Sequence, residues 1–319
     1  MVPESGRSGI STVDPSPAKT RKGISVRFVQ TGNGPDGVVG FHGWSGDHTT
    51  FDPLLKNLPE NVTFYSFDLP GCGESPEPKQ WEMKSLAREM AEELIRLGKR
   101  DLTLVGSCSG GVVAVFTVRE LREMGKGEVV GRLVMIDPFG FCPWYFNLFL
   151  TPVIGGLMYA ATFANPLGRW ITNWSLKKKR AGKVHLTESF RQVNHRVTMK
   201  YLRMMEACGA PDQFQGMKIP VEILRGGNTF AAVTESVRMW QKALPQANVK
   251  ILEHVGHLPI DEAPDAVREV VFRRPFKRSI PKLKKMPAVK AREARELRNE
   301  LTRGDMKGPP VWDFDPSGD

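Results

Sequence analysis

Cysteine is scarce in this chain: four residues in 319, with no paired spacing. That excludes a disulfide framework and points to a reducing compartment. The N-terminus lacks the apolar run of a secretory leader. Residues 1 to 22 are instead rich in Ser, Gly, Pro and charge and read as a disordered arm. His48, His185 and His195 share no ligand spacing with a Cys or carboxylate cluster, so neither a metal nor another cofactor is expected. No internal repeat is present. The formal charge of +10 would suit nucleic acid, but aromatics are not interleaved with the basic runs and no nucleic-acid motif occurs, so that partner is not expected. The charge is also uneven. Residues 273 to 319 hold 13 Lys/Arg against 7 Asp/Glu, and residues 169 to 203 hold 10 against 1, which leaves everything else at −5. The first of these stretches reads as a solvated, basic tail with a charged helix over Ala288 to Arg303.

What is present centres on Leu104-Val105-Gly106-Ser107-Cys108-Ser109-Gly110-Gly111. The apolar run from Leu102 to Val105 predicts a buried strand, and Gly110-Gly111 followed by Val-Val-Ala-Val-Phe predicts a helix packed on it. A Gly-x-nucleophile-x-Gly turn presents its central side chain at a strained corner, where flanking glycines avoid clashes with strand and helix. Ser107 and Ser109 are competing hydroxyls, but only Cys108 has glycine two residues away on both sides.

Three further motifs flank this turn. Val38 to Phe41 is an apolar strand ending in His42-Gly43-Trp44. Val62 to Phe67 is a second, ending in Asp68-Leu69-Pro70-Gly71-Cys72-Gly73-Glu74-Ser75. Val249 to Leu252 leads into Gly256-His257. In this order and spacing, over roughly residues 24 to 272, the chain resembles the α/β-hydrolase superfamily. The resemblance implies a mostly parallel, doubly wound sheet with helices on both faces. It also implies Cys108 as nucleophile, His257 as general base, and the backbone N–H groups of Ser109 and Trp44 as an oxyanion hole.

The third catalytic group departs from the family pattern. After Val221 to Gly226 the family carries an Asp, and here register puts Thr229 at that place, with no carboxylate from Arg225 to Thr234. Three readings stand. Some members place the acid after the preceding central strand, where Leu133 to Ile136 ends in Asp137; Asn228 could orient the imidazole through its amide; or the triad is degenerate and the protein binds without turnover. Geometry puts Asp137 first, because both strand ends can face one histidine. His42 reads as a brace for the oxyanion loop, and His254 as surface or packing.

From Pro138 to Gly168 no residue is charged, and Trp144 to Ala164 is long enough to pass for a membrane span. A single crossing would strand the next strand on the wrong side of the bilayer. In the superfamily an insertion here is a lid over the active site, which divides the chain into a core of residues 23–137 and 217–272, a lid of 138–216 and a tail of 273–319. Pro152 and Gly155-Gly156 break the apolar run and Lys177-Lys178-Lys179-Arg180 follows it. The pattern suits a re-entrant or surface-lying hairpin with a cationic rim, meeting an anionic membrane through residues 144 to 180 in a cytoplasmic protein peripheral to the inner face; the other reading is a wholly internal cap packed on the core. The expected substrate is a small hydrophobic acyl compound, an ester or thioester, in a large apolar pocket. The Gly-x-Cys-x-Gly-Gly stretch is also similar to the lipase-like box of polyhydroxyalkanoate synthases, which implies acyl transfer to a hydroxyl as an alternative to hydrolysis. The dienelactone hydrolases share the cysteine but use small charged substrates.

Overall fold

The computed structural model describes residues 25–179 and 185–273. The arm, Arg180 and the tail from Arg274 onward lie outside the described residues. Among the described residues seven strands form one sheet: β1 (Phe28–Thr31), β2 (Asp36–Phe41), β3 (Val62–Phe67), β4 (Leu102–Ser107), β5 (Val130–Ile136), β6 (Val221–Gly226) and β7 (Asn248–Leu252). Their order is β1-β3-β2-β4-β5-β6-β7. Only β1 runs antiparallel to its neighbour; every other pairing is parallel.

Parallel strands need helical crossovers on both faces, so their residues are buried on both sides and read as continuous apolar runs. All of β3 is buried, as is β4 up to Gly106. Alternate residues feed two separate cores. Val39, Tyr65, Leu104, Leu133 and Ile223 pack under α2 (Met83–Arg96), α3 (Ser109–Glu123) and α8 (Ala231–Ala243). Val38, Phe64, Val105, Val134 and Leu224 pack on the other face, under α1 (Asp52–Leu55), α9 (Pro259–Glu262) and α10 (Pro264–Val271). The order of strands and the two helical layers are those of the α/β-hydrolase fold.

Between β5 and β6 run α4 (Trp144–Leu150), α5 (Ile154–Tyr159), a π turn over Ala160–Ala164, α6 (Pro166–Ser175) and α7 (His195–Ala207). Phe146, Tyr159, Phe163 and Phe190 of this segment gather around the Trp44 ring, with centroids 5.0 to 6.3 Å away. The Trp44 indole N–H donates to the Thr198 carbonyl at 2.8 Å. The segment is therefore clamped onto the loop after β2. No single helix among the described residues is long and apolar enough to cross a membrane; the pair Trp144–Leu150 and Ile154–Ala164 bends by 115°.

Candidate active site

Cys108 sits between β4 and α3 with φ of +53° and ψ of −121°, a conformation sparsely populated by any residue with a Cβ. Such a corner costs on the order of 1–3 kcal/mol and persists only where its surroundings over-determine it. The surroundings are glycines. A Cβ on Gly106 would lie 2.4 Å from the Gly111 Cα, and one on Gly110 would lie 2.3 Å from the carbonyl oxygens of Phe41 and His42. The helix can therefore start hard against β2 and β4. Cys108 N–H donates to the Ile136 carbonyl at 2.8 Å, which ties the corner to the end of β5. Ser109 is the first residue of α3, where helix geometry leaves the amide without an intrahelical partner. The thiol thus stands at the positive end of a fifteen-residue helix.

Asp137 follows β5 directly, with φ of +49°, and is 1% exposed. Its Oδ1 accepts the Gly226 amide at 2.8 Å, and its own amide donates to the Leu224 carbonyl at 2.7 Å, so two bonds to β6 hold it. Oδ2 meets His257 Nδ1 at 2.6 Å and also accepts the Thr229 hydroxyl. With Nδ1 occupied, the remaining ring nitrogen is the one that faces Cys108, to which the imidazole is hydrogen-bonded. Burial by itself would lower the His257 pKa, but the hydrogen bonds to Asp137 and Cys108 overcome it and push it up to about 10. Phe139 and Phe230 hold the ring edge-on, with centroids 5.6 and 4.9 Å away.

The loop carrying Trp44 closes over the thiol. A Cβ on Gly43 would lie 2.9 Å from the Cys108 Cβ, so only glycine permits this approach. His42 braces the loop from behind. Its Nε2 accepts the Leu69 amide at 3.0 Å, which leaves Nδ1 as the donor to the Gly43 carbonyl at 2.8 Å. Burial lowers its pKa, consistent with a neutral ring.

Of the residues singled out in the sequence, Cys108, Asp137 and His257 are brought together, and Ser109 and the Trp44 loop border them. Asn228 is not. It is exposed, its backbone amide donates to the Val255 carbonyl at 2.9 Å, and the turn presents Thr229 to the ring instead. The reason is register: Thr229 follows β6 where the family carries its acid, and here a hydroxyl supports a carboxylate supplied one strand away. Lys179 also departs from the expected cationic rim. Its ammonium donates to the Thr229 carbonyl at 3.0 Å and its carbonyl accepts the His257 amide at 3.1 Å, so it faces the site and not a lipid surface. Sequence reasoning missed both supports; the Thr at the family's acid position was the available signal for one of them. It also missed the pairing of buried Asp68 with half-buried His48, 2.8 Å apart. His254 is exposed with φ of +61°, and His195 Nδ1 lies 3.0 Å from the Tyr159 hydroxyl.

Above Cys108 and His257 opens a cavity of about 1690 Å³, walled by Phe139, Phe146, Phe149, Phe163, Phe190 and Phe230 among others. Cys72, Cys108, Cys142 and Cys208 are free. Burial pushes the Cys72 thiol up to about 12 and those of Cys142 and Cys208 up to about 11, so none of these three ionises readily near neutral pH.

Known proteins share this architecture. The family model described as alpha/beta hydrolase family matches residues 38–270. A pimeloyl-acyl-carrier protein methyl ester esterase of Nitrosomonas europaea is 23% identical over 257 residues, which cover 76% of this chain and 96% of the relative. A lipase-esterase related protein from Clostridium acetobutylicum superposes with a TM-score of 0.62 at 16% identity, covering 78% of this chain and 98% of that one. A bromoperoxidase from Bacillus anthracis does so at 0.62 and 15%, covering 77% and 94%. These two likenesses show the fold alone. The family match spans the sheet from β2 through α10, and the chain belongs to the α/β-hydrolase family.

Proposed function

We propose that this hydrolase-family enzyme cleaves a hydrophobic carboxylic ester or thioester through an acyl-enzyme on Cys108. The observation that carries the reading is one constellation: a thiol on a positive-φ corner at a helix N-terminus, hydrogen-bonded to an imidazole whose other nitrogen is 2.6 Å from a buried carboxylate. An imidazole with its pKa pushed up to about 10 keeps its proton at neutral pH and can hand it to a leaving group.

The steps follow from that pair. The Cys108 sulfur attacks the acyl carbon, and the carbonyl π electrons move onto oxygen. The Ser109 and Trp44 amides stabilise the oxyanion; one such donor is worth roughly 2.7–4 kcal/mol. The tetrahedral intermediate collapses as His257 gives its proton to the leaving alkoxide or thiolate, and the acyl group stays on sulfur. Water then attacks the acyl-enzyme, its proton goes to the same nitrogen, and the carboxylic acid departs with the thiolate–imidazolium pair restored. Asp137 is a positioning residue: it fixes the ring's orientation and offsets its charge. The segment from α4 to α7 serves as the cap whose aromatic underside receives the acyl chain. The Nitrosomonas relative is named for methyl ester cleavage, the same reaction class.

A panel of p-nitrophenyl esters and acyl-CoA thioesters of increasing chain length, assayed for free acid, tests the reading. Turnover should rise with chain length and fall on the order of 10³-fold or more in Cys108→Ala. Full activity in that variant would move the nucleophile to Ser107 or Ser109.

A further inference from the structure

The apolar residues of the segment between β5 and β6 divide between two sides. Phe146, Phe149, Tyr159 and Phe163 point inward to Trp44 and the cavity. A second set points to solvent. On α6 these are Leu167 (65% exposed), Trp170 (65%), Ile171 (48%) and Trp174 (69%). Their spacing of i, i+3, i+4 and i+7 places all four on one face of the helix. An amphipathic helix ordinarily buries such a stripe; this one buries the other side, where Gly168 packs on the Ala161 carbonyl and Asn173 donates to the Thr187 hydroxyl at 2.6 Å. The pattern extends to neighbouring helices. Trp144 on α4 and Leu157 on α5 are exposed, and Val153, at the bend between these helices, is 98% exposed with φ of +67°.

We propose that this face docks on the surface of an anionic lipid bilayer and sets the cavity mouth against it. Three observations select lipid. Trp144, Trp170 and Trp174 are amphipathic rings of the kind that settle at the headgroup level. From Pro138 to Thr187 the chain has no acidic residue, while Arg169 and the exposed Lys177 lie at either end of α6, so nothing there repels a negative surface. The docking face is also continuous with the cavity, because Leu148, Phe149, Met158 and Phe163 of the same segment line it. An acyl substrate dissolved in the bilayer could then enter without crossing water. The helices lie on the surface and do not cross it: their inner faces are clamped to the core through Trp44. Because the turn after α6 holds His257 N–H and the Thr229 carbonyl through Lys179, a docked α6 also bears on the candidate active site.

The test is co-sedimentation of the full chain with vesicles of phosphatidylcholine alone and of phosphatidylcholine with phosphatidylglycerol; it needs no turnover. The wild type should sediment with the anionic vesicles, several-fold better than with neutral ones, and less as salt rises, since the Debye length is roughly 8 Å at physiological ionic strength. Replacing Trp170 and Trp174 with Gln should lower the partition constant about tenfold per residue, while hydrolysis of a soluble short-chain ester is unchanged. Brominated lipids should quench part of the wild-type tryptophan emission, a readout that requires no variant. A wild-type protein left in the supernatant, equal binding to neutral vesicles, or a concentration-dependent dimer abolished by the same two substitutions would overturn the proposal; in the last case a second copy covers the face.

Discussion

Among the described residues two histidine–aspartate pairs have nearly equal geometry, and only one of them belongs to the candidate active site. His257 Nδ1 lies 2.6 Å from Asp137 and His48 Nδ1 lies 2.8 Å from Asp68. Both carboxylates are buried at the C-terminal end of a parallel strand, and both histidines have raised pKa values. The partners on the far side differ. His257 meets Cys108 and lines the cavity. His48 does not line it, and Asp68 is occupied by the amides of His48 at 2.7 Å and Glu74 at 3.1 Å, beneath Gly73, where a Cβ would lie 2.3 Å from the carboxylate. A carboxylate–imidazole pair can therefore fasten a loop to a strand end; a neighbouring thiol and a cavity are what make the His257 pair the candidate for catalysis.

Deleting each ring separates the two pairs most strongly. His257→Ala should lower kcat/KM on the order of 10³-fold or more, and His48→Ala should change it by less than about threefold. Steady-state kinetics on one ester decides it, and similar losses would erase the distinction.

The carboxylates come next. Asp137→Asn should cost about 10²-fold in kcat and move the alkaline limb of the pH–rate profile down from near 10, because the carboxylate hydrogen bond, and with it the charge, that raises His257 against its burial is gone. Asp68→Asn should leave kcat within a few-fold and lower stability by about 1–3 kcal/mol in urea unfolding. Its pH signature has two signs. Burial would raise the Asp68 pKa, but its hydrogen bonds to His48 and to backbone amides hold it low, so its contribution is present above the unfolded carboxylate value near 3.9 and is lost as pH falls. His48 is raised, chiefly by the hydrogen bond to Asp68. Its contribution is full below the unfolded imidazole value near 6.5 and is lost as pH rises through the folded value. Both slopes should flatten in Asp68→Asn.

The smallest effect belongs to Thr229. Thr229→Val removes one hydrogen bond to Asp137 and should lower kcat about two- to tenfold with KM unchanged. A change confined to KM would mean that Thr229 touches substrate instead of positioning the pair.

The two pairs were not equally legible in the sequence. Cys108 and Asp137 closely follow apolar runs that read as strands and His257 comes five residues after another, and their roles came from a motif order that resembles the α/β-hydrolase superfamily. The Asp68 motif was visible, but its partner His48 comes from a short polar turn that no pattern joins to it. Thr229 and Lys179 were hidden for another reason: the direction of a side chain in a loop is set by packing across the sheet, which composition and spacing do not encode. Asn228, one residue from Thr229, illustrates it, since only the twist of the turn after β6 decides which of them meets the ring. An outward apolar side was expected for residues 144 to 180 as a whole, but which rings it holds was not, because a stripe on α6 shows only that a face will be covered and the fold shows that the core leaves Trp170 and Trp174 exposed.

The central claim is that sulfur at position 108 carries the acyl group. Rapid acid quenching of the enzyme with a slowly hydrolysed long-chain p-nitrophenyl ester, followed by proteolysis and peptide mass spectrometry, tests it directly. A mass increase equal to the acyl group is expected on the peptide containing Cys108, sensitive to hydroxylamine and absent from Cys108→Ala. Acyl mass on Ser107 or Ser109 in the wild type, or turnover with no acylated peptide at all, would contradict it.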